Sequence, residues 1–376
     1  MDTKQEAYMR NDKIDVLRGI SILLVLIHHF NIPYKLHDTF LGVSVFGESL
    51  STLIARNGNY GVTMFFVISG FLITQHTVQR DGALAKIRLK DFYVRRIARI
   101  IPCLVLLVVM VTLLGALGLK PFLNQAPNGV EVSYGLTVLS AFGFWMNLLI
   151  IEYGWVNYAF GVLWSLSVEE VFYLVFPLLC LGLGRGKGFI IFLLLIIAYA
   201  PYFRSLHFGE ESGAYLYHYF SSFDGIAIGC LTALYAQHFK GTLQNSKPIM
   251  AVTVLLMFAL YLYAPIKEVS TWGMSAFAML TAVLIFCFAQ VPQTQKQSMG
   301  SRSLVWIGQR SYEMYLFHLI ILGLMKVLYF PKETLPTEKL LLLPIYFMAV
   351  FLLSWMIEKY YSTPLNRMIR KTWIQS

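Results

Sequence analysis

The sequence predicts an all-α, polytopic integral membrane protein, and three observations predict it. Hydrophobic residues make up 57% of the 376 and charged residues only 13%, with a mean hydropathy of +0.63, which no soluble globular chain of this size shows. The apolar residues arrive in runs of about 20, the length an α-helix needs to cross roughly 30 Å of hydrocarbon. The Lys and Arg residues collect in alternate loops, as they do where loops alternate between the two sides of a membrane.

Eleven apolar runs sit near 14–34, 59–77, 100–120, 135–151, 164–183, 189–205, 217–237, 249–265, 272–291, 312–330 and 341–361. The run 135–151 is short and interrupted by glycine, and charge parity decides its fate. With a cytoplasmic N-terminus and 135–151 not crossing, 22 of the 30 Lys and Arg residues lie inside; if it crosses, only 16 do. The expectation is therefore about ten transmembrane helices with both termini cytoplasmic. Segment 135–151 is then re-entrant or interfacial, which is tolerable where it packs on protein or lines a cavity, and an acceptor site is expected beside it. No internal repeat is visible, and residues 1–376 read as a single transmembrane domain. Met1 to Lys13 is polar and the run after it lacks a small-residue cleavage site, so no cleavable signal peptide is expected. The net charge of +10 is explained by basic cytoplasmic loops and does not call for nucleic acid. Cys103, Cys180, Cys230 and Cys287 all fall inside apolar runs without ligand spacing; they read as packing residues, and no metal is expected.

The first span, IDVLRGISILLVLIHHF, carries Arg18 and His29. Eleven steps of about 100° put them on one helix face to within about 20°, roughly 16 Å apart along the axis, while His28 points elsewhere. Ionisable groups at membrane depth face a polar interior, so this stripe implies one. The second span opens with Gly58 and Gly61 and places Ser69-Gly70-Phe71 in mid-helix. Gly70 suits close helix packing, and the adjoining Ser69 hydroxyl is a site or channel candidate. The most basic loop, Arg80 to Arg99, leads into the third span. Its Arg95, Arg96 and Arg99 crowd adjacent faces where the helix meets the cytosol. They serve as a positive-inside anchor and, beside Tyr93, would also dock a phosphate-bearing donor. A Gly-rich loop of the Walker or dinucleotide type is missing, so ATP and NAD are not indicated.

The stretch GVLWSLSVEEVFYLVFP follows the irregular run. Ser167 with Glu170 fits a capping box, which assigns Glu170 to a helix start. Glu169 enters a span from the outer side one turn before Tyr173, a costly placement unless it is paired or functional. Trp164 is either an interfacial anchor or a platform for a sugar ring. Farther on, Asp224 lies within a span, and SYEMYLFHLIIL places Glu313 and His318 in another. His318 is either a satisfied buried histidine or a direct participant.

These residues together resemble the membrane-bound acyltransferase-3 family, which modifies bacterial cell-surface glycans. The likeness covers essentially the whole chain. It rests on Asp15-Val16-Leu17-Arg18-Gly19 with His29; Gly61-Val62 through Phe65-Phe66 to Ser69-Gly70-Phe71; Phe92-Tyr93 with Arg96 and Arg99; Leu163-Trp164-Ser165-Leu166-Ser167-Val168-Glu169 on to Phe172-Tyr173 and Pro177; and Ser311-Tyr312 through Tyr315-Leu316 to His318. Two positions depart from the pattern: Val171 replaces a common Gln, and Ser222 stands where an Arg often precedes Asp224, which leaves Asp224 without an evident partner. The soluble SGNH-type domain of some members is absent from this sequence.

The resemblance implies transfer of an acetyl group from cytoplasmic acetyl-CoA, as co-substrate, to a carbohydrate hydroxyl on the far side of the bacterial inner membrane. The acceptor would be a polysaccharide, a lipopolysaccharide O-antigen or a lipid-linked glycan. In that scheme His29, Glu169 and Arg18 are catalytic, with His29 as general base and Glu169 orienting it or the acceptor. Arg18, Arg95, Arg96, Arg99, Tyr93 and Ser69 meet the donor. Trp164, Glu169, Tyr173, His318 and Asp224 meet the acceptor. The rivals are transfer of a succinyl or other acyl group, to a glycan or a small acceptor, and a transporter or flippase for a lipid-linked sugar. A flippase would account for Arg18, Asp224 and Glu313 but leaves the arginine cluster and the Arg18–His29 stripe as coincidences.

Overall fold

Helix starts, close glycine contacts and buried polar pairs set the architecture. The structure, a computed structural model, describes residues 11–45, 47–239, 246–290 and 299–374. Helix α1 (Asp12–Asn31) begins where the Asn11 side chain accepts from the Lys13 amide at 3.0 Å, with Asp12 and Asp15 in the first turn at the positive end of the helix dipole. A two-residue ladder, β1 (Ser44–Val45) against β2 (Glu48–Ser49), leads to α2 (Leu50–Ala55) and then α3 (Asn59–Asp81). Helix α4 (Leu89–Ala116) is followed by two short helices, α5 (Tyr134–Phe142) and α6 (Met146–Tyr153). The rest of the chain is α7 (Leu163–Leu183), α8 (Gly188–Leu206), α9 (Ala214–Tyr217), α10 (Tyr219–His238), α11 (Lys247–Tyr263), α12 (Ile266–Gln290), α13 (Met299–Gln309), α14 (Ser311–Leu328), α15 (Pro336–Ile357) and α16 (Thr363–Ile374). A π-turn, Glu358–Ser362, joins the last two.

The protein is all-α and polytopic. Among the described residues, eight helical stretches are long and apolar enough to cross a membrane. The other two expected positions also hold helices. One is α11, short at 17 residues; the other is α10, whose 20 residues include buried Asp224. Segment 135–151 is not one helix. It breaks at Gly143–Trp145, where Phe144 takes a left-handed φ of 57° and its carbonyl accepts from the Tyr219 hydroxyl at 2.6 Å. The two pieces, nine and eight residues long, rise only about 12–14 Å each, so neither crosses.

Glycine sets the tightest contacts. A Cβ on Gly70 of α3 would stand 1.9 Å from the Ile226 carbonyl oxygen of α10, and one on Gly229 would stand 2.0 Å from that of Val67. These reciprocal glycines bring two backbones together with no side chain between, as bilayer helices do where lipid offers no hydrophobic drive. Helix α13 meets α1 the same way, with Gly308 against the Asp15 carbonyl and Gly19 against that of Leu304.

Two expectations need correction. The capping box is not formed: α7 begins at Leu163, so Ser167 is already in its second turn. There its hydroxyl donates to the Leu163 carbonyl at 2.9 Å and accepts from the Met146 amide at 3.2 Å. Asp224 does have a basic partner, supplied by α8: Arg204, fully buried, reaches its carboxylate at 3.0 Å. Ser275 Oγ donates to the same carboxylate oxygen at 2.5 Å, and Arg204 also donates to the Ser221 carbonyl at 2.6 Å. The ion pair is closed by protein groups, as a buried pair must be to offset its desolvation.

Candidate active site

The site is built where α1 lies along α14. Arg18 Nε donates to Ser311 Oγ at 3.2 Å, at the first residue of α14, and its guanidinium faces Asp15 at 3.6 Å. Toward the other end of α1, His29 packs against His318, with ring centroids 4.9 Å apart and planes at 64°. The two polar residues of the opening stripe thus meet one neighbouring helix, as a shared face requires.

Hydrogen bonds assign the tautomers of the pair. His29 Nδ1 lies 2.9 Å from the Val25 carbonyl, so Nδ1 carries the proton and Nε2 presents a lone pair. His318 Nδ1 likewise donates to the carbonyls of Tyr315 at 2.8 Å and Met314 at 3.1 Å, and its Nε2 is buried with no hydrogen-bond partner. The neighbouring Tyr315 hydroxyl bonds Ser165 Oγ at 2.6 Å and donates to the Val162 carbonyl at 3.2 Å, tying the start of α7 to the imidazoles.

A second group lies farther along α7. Glu169 Oε1 accepts from Ser69 Oγ and from the Tyr173 hydroxyl, each at 2.6 Å, and the two hydroxyls also touch each other. The Arg96 guanidinium stacks on the Tyr173 ring with its carbon 3.4 Å from the centroid. Ser165, Glu169 and Tyr173 are spaced by four residues and so form one stripe on α7. Its first member reaches the histidine pair through Tyr315, and its last reaches Arg96. The expected partnership of Glu169 with His29 is not among these bonds. The Val25 carbonyl orients His29, and Glu169 is held between Ser69 and Tyr173.

The arginines lie in the first half of α4. Because α4 starts at Leu89, Arg96 and Arg99 stand about 10 and 15 Å along it, and Arg95 is about 100° round the helix from Arg96. Arg99 is exposed although Cys103, one turn on from it, is fully buried; its guanidinium lies 5.7 Å from the Tyr312 ring. Arg99 and Arg18 thus both stand near the start of α14, a candidate donor recess. Tyr93 braces this region by donating to the Leu174 carbonyl at 2.7 Å. Trp164, 7% exposed, sits edge-on to Tyr217 at 5.0 Å and Phe66 at 6.2 Å, with exposed Trp155 beyond Tyr217. Asp224 is not part of the group, because Arg204 and Ser275 occupy its carboxylate.

Sequence reasoning gave no role to Ser165, Tyr315, Ser311 or Arg204. The first two were within reach, since Ser165 precedes Glu169 by four and Tyr315 precedes His318 by three, the spacings at which helix residues share a face.

Residues 11–359 match the family model described as an acyltransferase domain. The chain belongs to the acyltransferase-3 family. Its apolar helices make it a multi-pass membrane member. Among curated proteins it is similar to a Staphylococcus aureus protein named as a candidate O-acetyltransferase, with 26% identity over 334 residues, covering 82% of this chain and 50% of that one. It is also similar to the peptidoglycan O-acetyltransferase OatA of Listeria monocytogenes, at 23% identity over 332 residues, 83% of this chain and 49% of the relative. A Bacillus subtilis protein named as a candidate peptidoglycan O-acetyltransferase is 27% identical over 332 residues, 81% of this chain and 47% of the relative. The chain thus spans about half the length of the curated relatives it matches. No solved structure matches it.

Proposed function

We propose that this protein is an acyltransferase that moves an acetyl group from cytoplasmic acetyl-CoA to a hydroxyl of a cell-surface carbohydrate at the bacterial inner membrane. The observation that carries the reading is the meeting of Arg18 and His29 with one helix, α14, at Ser311 and His318. At the α14 N-terminus the N-cap Arg310 makes no side-chain cap, and Arg18 and Arg99 stand beside it. The positive dipole end and two guanidiniums suit the phosphates of a CoA donor, although the Glu313 carboxylate shares the first turn of α14. Farther along α14, His29 Nε2 is the free base.

In this reading the acceptor hydroxyl gives its proton to His29 Nε2 as its oxygen attacks the thioester carbonyl carbon. The C–O bond forms, the C–S bond breaks, and the imidazolium returns the proton to the departing thiolate. The Val25 carbonyl holds Nδ1–H throughout, which keeps Nε2 facing the reaction. The relatives' names point to a glycan acceptor, with peptidoglycan foremost. The test is incubation of membranes holding the protein with isotopically labelled acetyl-CoA and glycan. Label must appear in ester linkage on the glycan with wild type and vanish with His29→Ala; transfer of label by neither form would refute the reading.

A further inference from the structure

Between α4 and α7 lies a cleft of about 320 Å³ that shares Tyr93, Arg96 and Tyr173 with the site but reaches neither Arg99 nor the histidine pair. Its walls are apolar, with Phe92, Ile97 and Ile101 from α4, Leu174 from α7, and Phe144 from the break in segment 135–151. Arg96, Glu170 and Tyr173 are its polar lining residues besides Tyr93. The mouth opens sideways. Ile97 is 51% exposed and continues the outer row Val105, Val109 and Leu113, while Leu174 is 49% exposed and continues Leu178 and Leu181. Both rows face hydrocarbon in a bilayer, so what enters here is dissolved in the membrane.

The polar lining says what the entrant carries. Glu170 is 6% exposed, and its Oε1 has no hydrogen-bond partner. A buried acceptor without a donor is unusual enough to point to an absent group. Beside it the Arg96 guanidinium offers donors. A hydroxyl complements both at once, since it donates through hydrogen and accepts through oxygen. A bare alkyl chain would leave Glu170 unsatisfied.

We propose that this cleft is a lateral port for a membrane-borne alcohol, its hydroxyl donating to Glu170 Oε1 and accepting from Arg96, its hydrocarbon chain leaving between Ile97 and Leu174 into the bilayer. Only the further step, that such a molecule is an acyl acceptor, rests on the O-acylation reading. It makes the acceptor class lipid-borne.

The experiment uses the full chain in lipid nanodiscs, without acetyl-CoA. A long-chain alcohol bearing a photoreactive diazirine and an alkyne handle is compared with the alkane of equal length, and cross-linked peptides are read by mass spectrometry. The alcohol should label peptides holding Ile97, Ile101 and Leu174 roughly tenfold more than the alkane, the difference expected for one hydrogen bond. Leu174→Trp, a lipid-facing change that plugs the mouth without touching the fold, should abolish the excess, and Glu170→Leu should bring the alcohol down to the alkane. Equal labelling by both probes, meaning annular lipid only, overturns the port, as does alcohol labelling that neither substitution moves. Because no acetyl donor is present, failure of the labelling leaves the O-acylation reading intact, and failure of acetyl transfer leaves the labelling result standing.

Discussion

Replacing His29 with alanine tests the proposed chemistry most directly. The side chain makes one hydrogen bond, to the carbonyl of Val25 in its own helix, and a ring contact with His318. Its loss removes one ring contact between α1 and α14 but no hydrogen bond between helices, so the variant should insert and fold. A positioned general base contributes about 10²- to 10⁴-fold, equivalent to about 3–5 kcal/mol of barrier at 1.36 kcal/mol per decade. The assay is the initial rate of ester-linked label on glycan, normalised to the amount of monodisperse protein in detergent. His318→Ala supplies the comparison. Its Nε2 is buried and His29 takes its orientation from Val25, so the loss there should be smaller than at His29. A His29→Ala rate within a factor of about 3 of wild type, at equal folded protein, would remove His29 from the reaction and with it the base assignment.

The remaining predictions address the donor recess, the packing and an ion pair at the start of α15. Arg99→Ala should raise the KM for acetyl-CoA about tenfold, the size of one lost charge-assisted contact, with Arg99→Lys partly restoring it; an unchanged KM in Arg99→Ala would refute the donor recess. Asp224→Ala strands the buried Arg204 guanidinium and should cost about 3–5 kcal/mol in thermal unfolding, while replacing both residues by leucine recovers most of it; equal stability of the single variant and wild type would contradict a closed pair. Gly229→Val sets a Cβ 2.0 Å from the Val67 carbonyl and should sharply lower the yield of folded protein, whereas Gly186→Ala, with nothing within 4 Å, should be neutral. At the start of α15, Lys339 Nζ lies 2.5 Å from Asp38 Oδ2 and its hydrogen bond holds the Asp38 carboxyl below its ordinary range. The stability this supplies is complete above the ordinary carboxylate pKa of about 4 and fades as pH falls through the lowered value. Lys339→Met should therefore flatten the acid limb of the unfolding profile, and an unaltered limb would sink the pairing.

Periodicity and charge carry much of this protein in one dimension. Runs long enough for hydrocarbon, the cations gathered in alternate loops and a glycine-broken stretch at 135–151 were enough to place ten helical positions and one segment that does not cross. The shared face of Arg18 and His29 followed from helix geometry alone, because eleven residues close almost whole turns. Long-range pairing was not legible. That Arg204 serves Asp224, that Glu169 turns to Ser69 and Tyr173 while Val25 orients His29, and that Arg96 covers Tyr173 depend on which helices become neighbours. That choice is made by reciprocal glycines such as Gly70 and Gly229, whose partners no local pattern names. A chain read in order determines which faces are polar; only the packed bundle decides which polar face each one meets, because a buried donor or acceptor must be satisfied by whatever the neighbouring helix brings.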